Sequence, residues 1–258
     1  MVKVVDPHLH LFALEQGNYF WLNEGNAPYW PDKEKIRQNY FESDLILSPS
    51  HQLAGFVHIE AGFDNEQPHR EIAWLEEHCS LPFRSIASAD LTSPQFIERL
   101  AQLKPFKSVV GVRHILDEQA VDLLSKETFQ RNLRLLADNG LVFEAQLILD
   151  DLPSVKLLAE VVQEIPKLKV VINHCGFPQN LSDEWIDSIT RLAHLPECSI
   201  KCSGWEMVDR NWNADQVKPF ISFAIRQFGL TRVMLASNFP VSELSYSYAE
   251  IWQRYLNE

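Results

Sequence analysis

Short β-rich runs alternate with longer helical segments through nearly the whole chain, and this alternation limits the folds open to it more than any other feature. The runs are Val2–Asp6, Gly55–Ile59, Phe83–Ala87, Ser108–Val112, Leu141–Leu147, Lys169–Asn173, Ser199–Cys202 and Val233–Ala236. Several are apolar for most of their length, as parallel strands covered on both faces are. Helices are expected over Pro68–Cys79, Ser125–Asn139, Pro153–Ile165, Ser182–Leu195, Ala214–Phe228 and Ser245–Leu256, with a further helix capped by Ser93. The pair Asn139-Gly140 is a C-terminal stop signal. Strand-helix repetition predicts a parallel α/β fold. Eight strands in 258 residues, 46% of them hydrophobic, fit one closed (β/α)8 TIM barrel over residues 1–258 better than an open sheet.

Charge and cysteine usage narrow the partners. The net charge of −12 disfavours nucleic acid and acidic membranes, so the expected partner is a small molecule. An anionic substrate would have to be held by local cations, which makes single arginines informative. Cys79, Cys175, Cys198 and Cys202 form no CxxC pair and read as buried thiols in a reducing cytosol. No apolar run is long enough to cross a bilayer, and the N-terminus enters the first strand with no leader pattern, so a cytoplasmic location is expected. Whether the chain forms a homo-oligomer stays open.

In a barrel of this kind active sites lie at the C-terminal strand ends. Those ends are polar here, while the strand bodies are apolar. The first carries His8 and His10, which share a face because side chains alternate along a strand. The second carries His58 and Glu60, the fourth Arg113 and His114, the fifth Glu144 and Gln146, the sixth Asn173 and His174. The seventh leads into Ser203-Gly204-Trp205-Glu206 and the eighth ends in Ser237-Asn238-Phe239-Pro240. Between the first strand and the second lies an irregular stretch, Gly17–Pro31, whose Tyr19, Phe20, Trp21, Tyr29 and Trp30 either wall a pocket mouth or pack over the barrel end.

The pieces Asp6-Pro7-His8-Leu9-His10, Gly111-Val112-Arg113-His114, Asn173-His174-Cys175-Gly176 and Ser237-Asn238-Phe239-Pro240, in this order, resemble the amidohydrolase superfamily in its amidohydrolase-2 branch. The nearest likeness is to lactonase-like members, the fuconolactonase type and 2-pyrone-4,6-dicarboxylate lactonase, and it spans essentially the whole chain. The resemblance implies a distorted (β/α)8 barrel that hydrolyses an ester or amide bond with activated water. It maps His8, His10 and His174 to the family's histidines, and Arg113 to a strand-four arginine that meets a substrate oxygen. Some relatives use one or two divalent metals, while lactonases of this branch can work without one. The chain departs from the pattern at strand eight. The superfamily's Asp, a metal ligand and general base, is Asn238 here, and an amide is a poor ligand and no proton acceptor. Strand five carries Glu144 and Gln146 where dinuclear members have a carboxylated lysine, which argues against a dinuclear centre.

The candidate catalytic set is therefore His8, His10, His174, Asn238 and Glu60. Three histidines and a water match a catalytic zinc pattern, with zinc or manganese as the single divalent ion on His8, His10 and His174, or they position water with no metal. Glu60 is either the missing base, its pKa raised by burial, or an ion-pair partner of Arg113. Arg113 either clamps a substrate carboxylate through its planar fork or closes that internal ion pair. His58, His114, Gln146 and Trp205 join Arg113 as substrate-contact candidates, Trp205 with packing as the alternative. Asp6 either backs the histidines or caps backbone. Cys175 faces away from its neighbour His174, so no Cys-His pair is expected. The reading is a hydrolase acting on a lactone of a small anionic, sugar-acid or aromatic-catabolite type. The alternatives are a metal-dependent decarboxylase of the same superfamily or a catalytically impaired binding barrel.

Overall fold

The computed structural model describes residues 1–256. Among them, eight parallel strands are hydrogen-bonded in sequence order: β1 Val2–Leu9, β2 His51–Ile59, β3 Phe83–Ser88, β4 Val109–Ile115, β5 Val142–Gln146, β6 Lys169–Ile172, β7 Cys198–Cys202 and β8 Val233–Leu235. Helices surround them: α1 His69–His78, α2 Phe96–Leu103, α3 Ala120–Leu124, α4 Glu127–Asp138, α5 Leu152–Gln163, α6 Asp183–Ala193, α7 Trp205–Val208, α8 Ala214–Phe228 and α9 Tyr248–Leu256. This is a (β/α)8 barrel. No helix among the described residues is long and apolar enough to cross a membrane.

The barrel is not sealed by a ladder between β1 and β8. The seam is stitched beyond the end of β8 instead: Asn238 N–H donates to the His8 carbonyl (2.9 Å) and His10 N–H to the Phe239 carbonyl. Asp6 caps the same seam, its Oδ1 accepting from the backbone N–H of His8 (3.1 Å) and of Ser237 (3.2 Å). Of the two roles open to Asp6, the structure places it as a backbone cap. Burial, eased in part by these bonds, raises its pKa to about 6. The stitching matters for function because it fixes Asn238 directly against the first-strand histidines.

Most expected elements are present with boundaries moved by a few residues. Strand β1 runs on to Leu9, and β2 begins four residues early, at His51. Ser93 does not cap α2; its Oγ accepts from Gln95 N–H in a turn just before the helix starts at Phe96. The short helix α3 has no counterpart among the helices expected from sequence. Ser182 caps α6 through Trp185 N–H, and Gly140 takes the left-handed conformation (φ 69°) that ends α4. The core lies between sheet and helices, where Phe129 of α4 meets Phe143 of β5 edge-on at 6.1 Å. Burying each such ring contributes about 2–3 kcal/mol.

The segment between β1 and β2 contains three short 3₁₀ turns and one antiparallel bridge, Phe12 with Tyr40. Both readings of its aromatics hold in part. Tyr19 is buried between Phe12 and Phe63. Trp21 donates through Nε1 to the Ala61 carbonyl (2.8 Å) at the end of β2 and meets Trp30 edge-on. Phe20 and Tyr29 stay 70% and 78% exposed. Lys33 Nζ bonds the carbonyls of Trp21 and Asn26, and Asp32 pairs with Arg210 (2.9 Å), so the segment is tied down over the C-terminal strand ends.

Candidate active site

Strand alternation turns Asp6 and His8 inward, and His10 follows on the same side just past the end of β1. Across the barrel, His174 follows β6 on a backbone of positive φ (53°), a strained conformation for a residue with a Cβ. Gly204 makes room for its ring: a Cβ at that position would lie 2.6 Å from His174 Nδ1. His8 and His174 approach to 4.6 Å between ring centroids, and His8 and His10 to 5.2 Å. The first-strand and sixth-strand imidazoles therefore converge inside the barrel.

The three rings differ in what they can do. His10 Nδ1–H donates to the Ile59 carbonyl (2.8 Å), so its Nε2 carries the lone pair. His174 shares a hydrogen bond between Nδ1 and Ser203 Oγ (3.0 Å). His8 is wholly buried, and neither ring nitrogen has a partner among the described residues. Burial holds all three pKa values well below the ordinary imidazole value, and repulsion between positive forms adds to it: from His174 and then Lys201 for His8, and from Arg113 first for His10 and His174. The cluster is neutral at working pH.

Two buried ion pairs flank it. Arg113 donates Nε to Glu60 Oε1 (2.8 Å) and Nη2 to the Glu60 carbonyl (2.8 Å). Its bidentate face is spent on the protein's own carboxylate, which is the ion-pair alternative for both residues. Glu60 Oε2 accepts from the Gly62 N–H (3.2 Å), so both oxygens are engaged by the protein's own groups. Burial raises the Glu60 pKa while Arg113 lowers it. The second pair, Lys201 with Glu144, has no counterpart in the candidate set from sequence. Lys201 projects inward from β7, and its Nζ bonds Glu144 Oε1. Asn173 Nδ2 holds Glu144 Oε2 (2.7 Å), and that oxygen lies 4.0 Å from His8 Nδ1. Register pairs Arg113 of β4 with Glu144 of β5, so both ion pairs sit at one level of the barrel.

Other expected contacts lie elsewhere. His58 is buried, but both ring nitrogens are engaged: Nδ1 accepts from Leu11 N–H (3.2 Å), so Nε2–H donates to Glu71 (3.0 Å). Burial lowers the His58 pKa to about 3 and raises that of Glu71 to about 8, a pair that is neutral at pH 7. His114 alternates with Arg113 and so points out of the barrel; it rests on Phe129 and accepts from Leu91 N–H. Trp205 packs on Phe220 of α8 and donates to the Tyr255 hydroxyl (2.8 Å), the packing alternative. Among the described residues the Gln146 side chain bonds Asp117 alone, at 3.3 Å. His58, His114 and Trp205 are thus each engaged by other groups of the protein. Glu206, outside the candidate set, accepts from Asn238 Nδ2 (2.5 Å) and is 1% exposed; burial raises its pKa to about 7.

A family model described as Amidohydrolase matches residues 5–258. The chain belongs to this amidohydrolase family. It is therefore a hydrolase. Among its curated relatives, an uncharacterized protein of Sinorhizobium fredii is 28% identical over 98% of this chain and 90% of its own length. An L-fucono-1,5-lactonase of Burkholderia ambifaria is 21% identical over 93% and 84%. A crystal structure of an amidohydrolase from Burkholderia multivorans with bound zinc superposes with a TM-score of 0.81 at 20% identity, covering 98% of this chain and 90% of that one, and shares the barrel.

The donor chemistry at His8, His10 and His174 suits zinc or manganese, but their placement does not. Among the described residues no three His, Cys, Asp or Glu side chains converge closely enough to hold a metal ion. The amide of Asn238 stands where the resemblance places a carboxylate, so the three imidazoles gain no anionic ligand from strand eight. With both nearby carboxylates already bonded to Arg113 and Lys201, the arrangement suits a held water better than a divalent ion.

Proposed function

We propose that the protein is a lactonase that opens the cyclic ester of a small sugar-acid or aromatic-catabolite compound without a resident metal. The reading is carried by His8: a wholly buried imidazole with two unpartnered nitrogens in a polar cluster calls for a bound water or substrate atom. His10 is the base, because the Ile59 bond leaves its Nε2 with the lone pair.

In the proposed reaction water lies between His8 and His10. His10 Nε2 takes one proton as the water oxygen bonds to the lactone carbonyl carbon. The carbonyl oxygen, gaining negative charge, faces Arg113 Nη1, which makes no hydrogen bond among the described residues. Collapse breaks the ring C–O bond, and the departing alkoxide recovers the proton from His10. The products are the hydroxy acid and a regenerated neutral imidazole. With Arg113 and Lys201 each paired to a carboxylate, the site has little surplus positive charge, which favours a lactone that becomes anionic on opening over one that enters as a dicarboxylate.

A panel of sugar γ- and δ-lactones, pyrone dicarboxylate and muconolactone-type esters, followed by acid release, tests the reading. Turnover of a sugar lactone that survives chelator treatment and is lost in His10→Ala is the expected result. Silence toward every member, with no thermal shift on adding any, overturns it. Chelator-sensitive activity restored by zinc overturns the metal-free part.

A further inference from the structure

Above the two buried ion pairs the inner wall of the barrel changes character. Arg113 and Glu144 lie side by side in the β4–β5 ladder, and both point inward, as their bonds to Glu60 and Lys201 show. Side chains two residues farther along each strand share that face. They are Ile115 and Gln146, which pair in register about 7 Å farther along the strands, toward the C-terminal mouth. Leu116 N–H donates to the Gln146 carbonyl (2.9 Å), so the ladder runs on past Ile115 and delivers Asp117 beside Gln146. Arg113 and Glu144 are buried, whereas Gln146 and Asp117 are half-buried and Ile115 is exposed. A substrate whose carbonyl sits at the histidines extends its far side to this outer level.

Asp117 is held there against local preference. Its φ is 35°, in the left-handed region that a residue with a Cβ enters at a cost, and residues held in this way collect at ligand sites. Its carboxylate is poorly served by the fold. Gln146 Nε2 donates to Oδ1 at 3.4 Å and to Oδ2 at 3.3 Å, both long for an N–H···O bond. Among the described residues no other side chain bonds it, and Arg113, paired to Glu60, acts on it only from a distance. Carboxylates in other loops at this end of the barrel are better engaged. Asp90 takes the Thr92 hydroxyl (2.6 Å) and N–H (2.8 Å), and Asp64 takes Arg70 (2.6 Å) with the N–H groups of Glu66 and Gln67. An ionised carboxylate accepts about four hydrogen bonds, so Asp117 keeps most of its acceptor capacity. The Gln146 Oε1 makes no hydrogen bond among the described residues either. Burial raises the Asp117 pKa, as it does for a carboxylate short of donors.

We propose that Asp117 and Gln146 form a hydroxyl-binding subsite that selects an uncharged, polyhydroxylated lactone. Asp117 accepts from ring hydroxyls, and the Gln146 amide, able both to donate and to accept, takes a neighbouring one. The subsite offers acceptors and no cation of its own, so a carboxylate carried at that side of a substrate meets like charge with nothing to pair it. A dicarboxylate is thereby disfavoured, and a ring without hydroxyls leaves the Asp117 carboxylate without the donors it needs. The inference rests on the lactonase reading for where the carbonyl lies; recognition of hydroxyls is measurable apart from turnover.

Two measurements on the full chain test it. Asp117→Asn removes the charge with a residue that tolerates positive φ, and Gln146→Met removes the amide at similar length. Hydrolysis of glucono-δ-lactone and galactono-δ-lactone is compared with that of δ-valerolactone, which has the same ring and no hydroxyls. For the better sugar lactone, the ratio of its kcat/KM to that of δ-valerolactone is expected to fall about 30-fold in Asp117→Asn and about fivefold in Gln146→Met, the loss of a charged and of a neutral hydrogen bond. The same ratio for pyrone dicarboxylate is expected to rise in Asp117→Asn. An unchanged sugar-lactone ratio in Asp117→Asn overturns the inference; should that variant not fold, an unchanged ratio in Gln146→Met does so. Binding is read separately by calorimetric titration with the matching anhydroalditols, cyclic ethers that keep the ring hydroxyls and have no carbonyl to attack. Asp117→Asn is expected to bind them about tenfold more weakly than wild type. Binding that depends on Asp117 in a protein that opens no lactone overturns only the lactonase reading. Sugar-lactone turnover with selectivity indifferent to Asp117 overturns only the subsite, and neither binding nor turnover overturns both.

Discussion

Replacing Lys201 by Met removes one charge from the interior while keeping most of the side-chain volume. The wild-type pair is 2–3% exposed on each side, and Lys201 Nζ is bonded directly to Glu144. Burial lowers the Lys201 pKa and the Glu144 charge raises it, so the lysine depends on its partner to stay charged. At an effective dielectric near 20, two charges about 4 Å apart attract by roughly 4 kcal/mol. Breaking a buried pair from one side costs about 3–5 kcal/mol, because the other charge is left uncompensated. Glu144 would keep only the Asn173 bond, with His8 Nδ1 4.0 Å away. In a chain of 258 residues the loss corresponds to a fall of about 6–10 °C in Tm. Calorimetry or circular dichroism at pH 7 reads it directly. The double variant Lys201→Met/Glu144→Gln leaves no buried charge and is expected to regain at least half of the lost Tm. A single variant within 2 °C of wild type, or a double variant as unstable as the single, would show that this ion pair does not carry the energy assigned to it.

Other outcomes follow from the same geometry. Glu71 has its pKa raised from 4.5 to about 8, so its contribution is full below pH 4.5 and is lost as pH rises through 8. Urea unfolding should therefore show stability falling between pH 5 and 8.5, by at most roughly 5 kcal/mol from this group; Glu71→Gln should flatten that slope, and an unchanged slope would refute the assignment. Gly204→Ala forces a Cβ to 2.6 Å from His174 Nδ1 at a φ of 71°; a loss of about 2–3 kcal/mol is expected, with turnover falling further than stability because the His174 ring must move. Equal turnover in that variant would remove His174 from the reacting centre.

Much of this molecule was legible in one dimension, and the reason is periodicity. Strand residues repeat every two and helix residues every 3.6, so eight apolar runs separated by amphipathic segments leave few ways to bury both faces of a sheet. The same period puts His8 and His10 on one side from the sequence alone. Applied to the fourth strand, it also separates Arg113 from His114, which the structure sets on opposite faces of β4. What a side chain touches across the barrel has no such signature. Lys201 reads locally as one more charge in a short strand; only the approach of Glu144 from β5 makes it half of a buried pair. Glu71 is an acid on a helix until His58 and the Ala61 amide meet it. Arg113 could have clamped a ligand or a neighbour, and the fold chose Glu60. Sequence alone determined the barrel and the strand ends at which chemistry is possible, because local periodicity and burial depend on neighbours along the chain. Tertiary structure alone decided which polar groups are already satisfied and which remain open to a substrate, because hydrogen-bond partners 29 to 231 residues apart are settled only by closure.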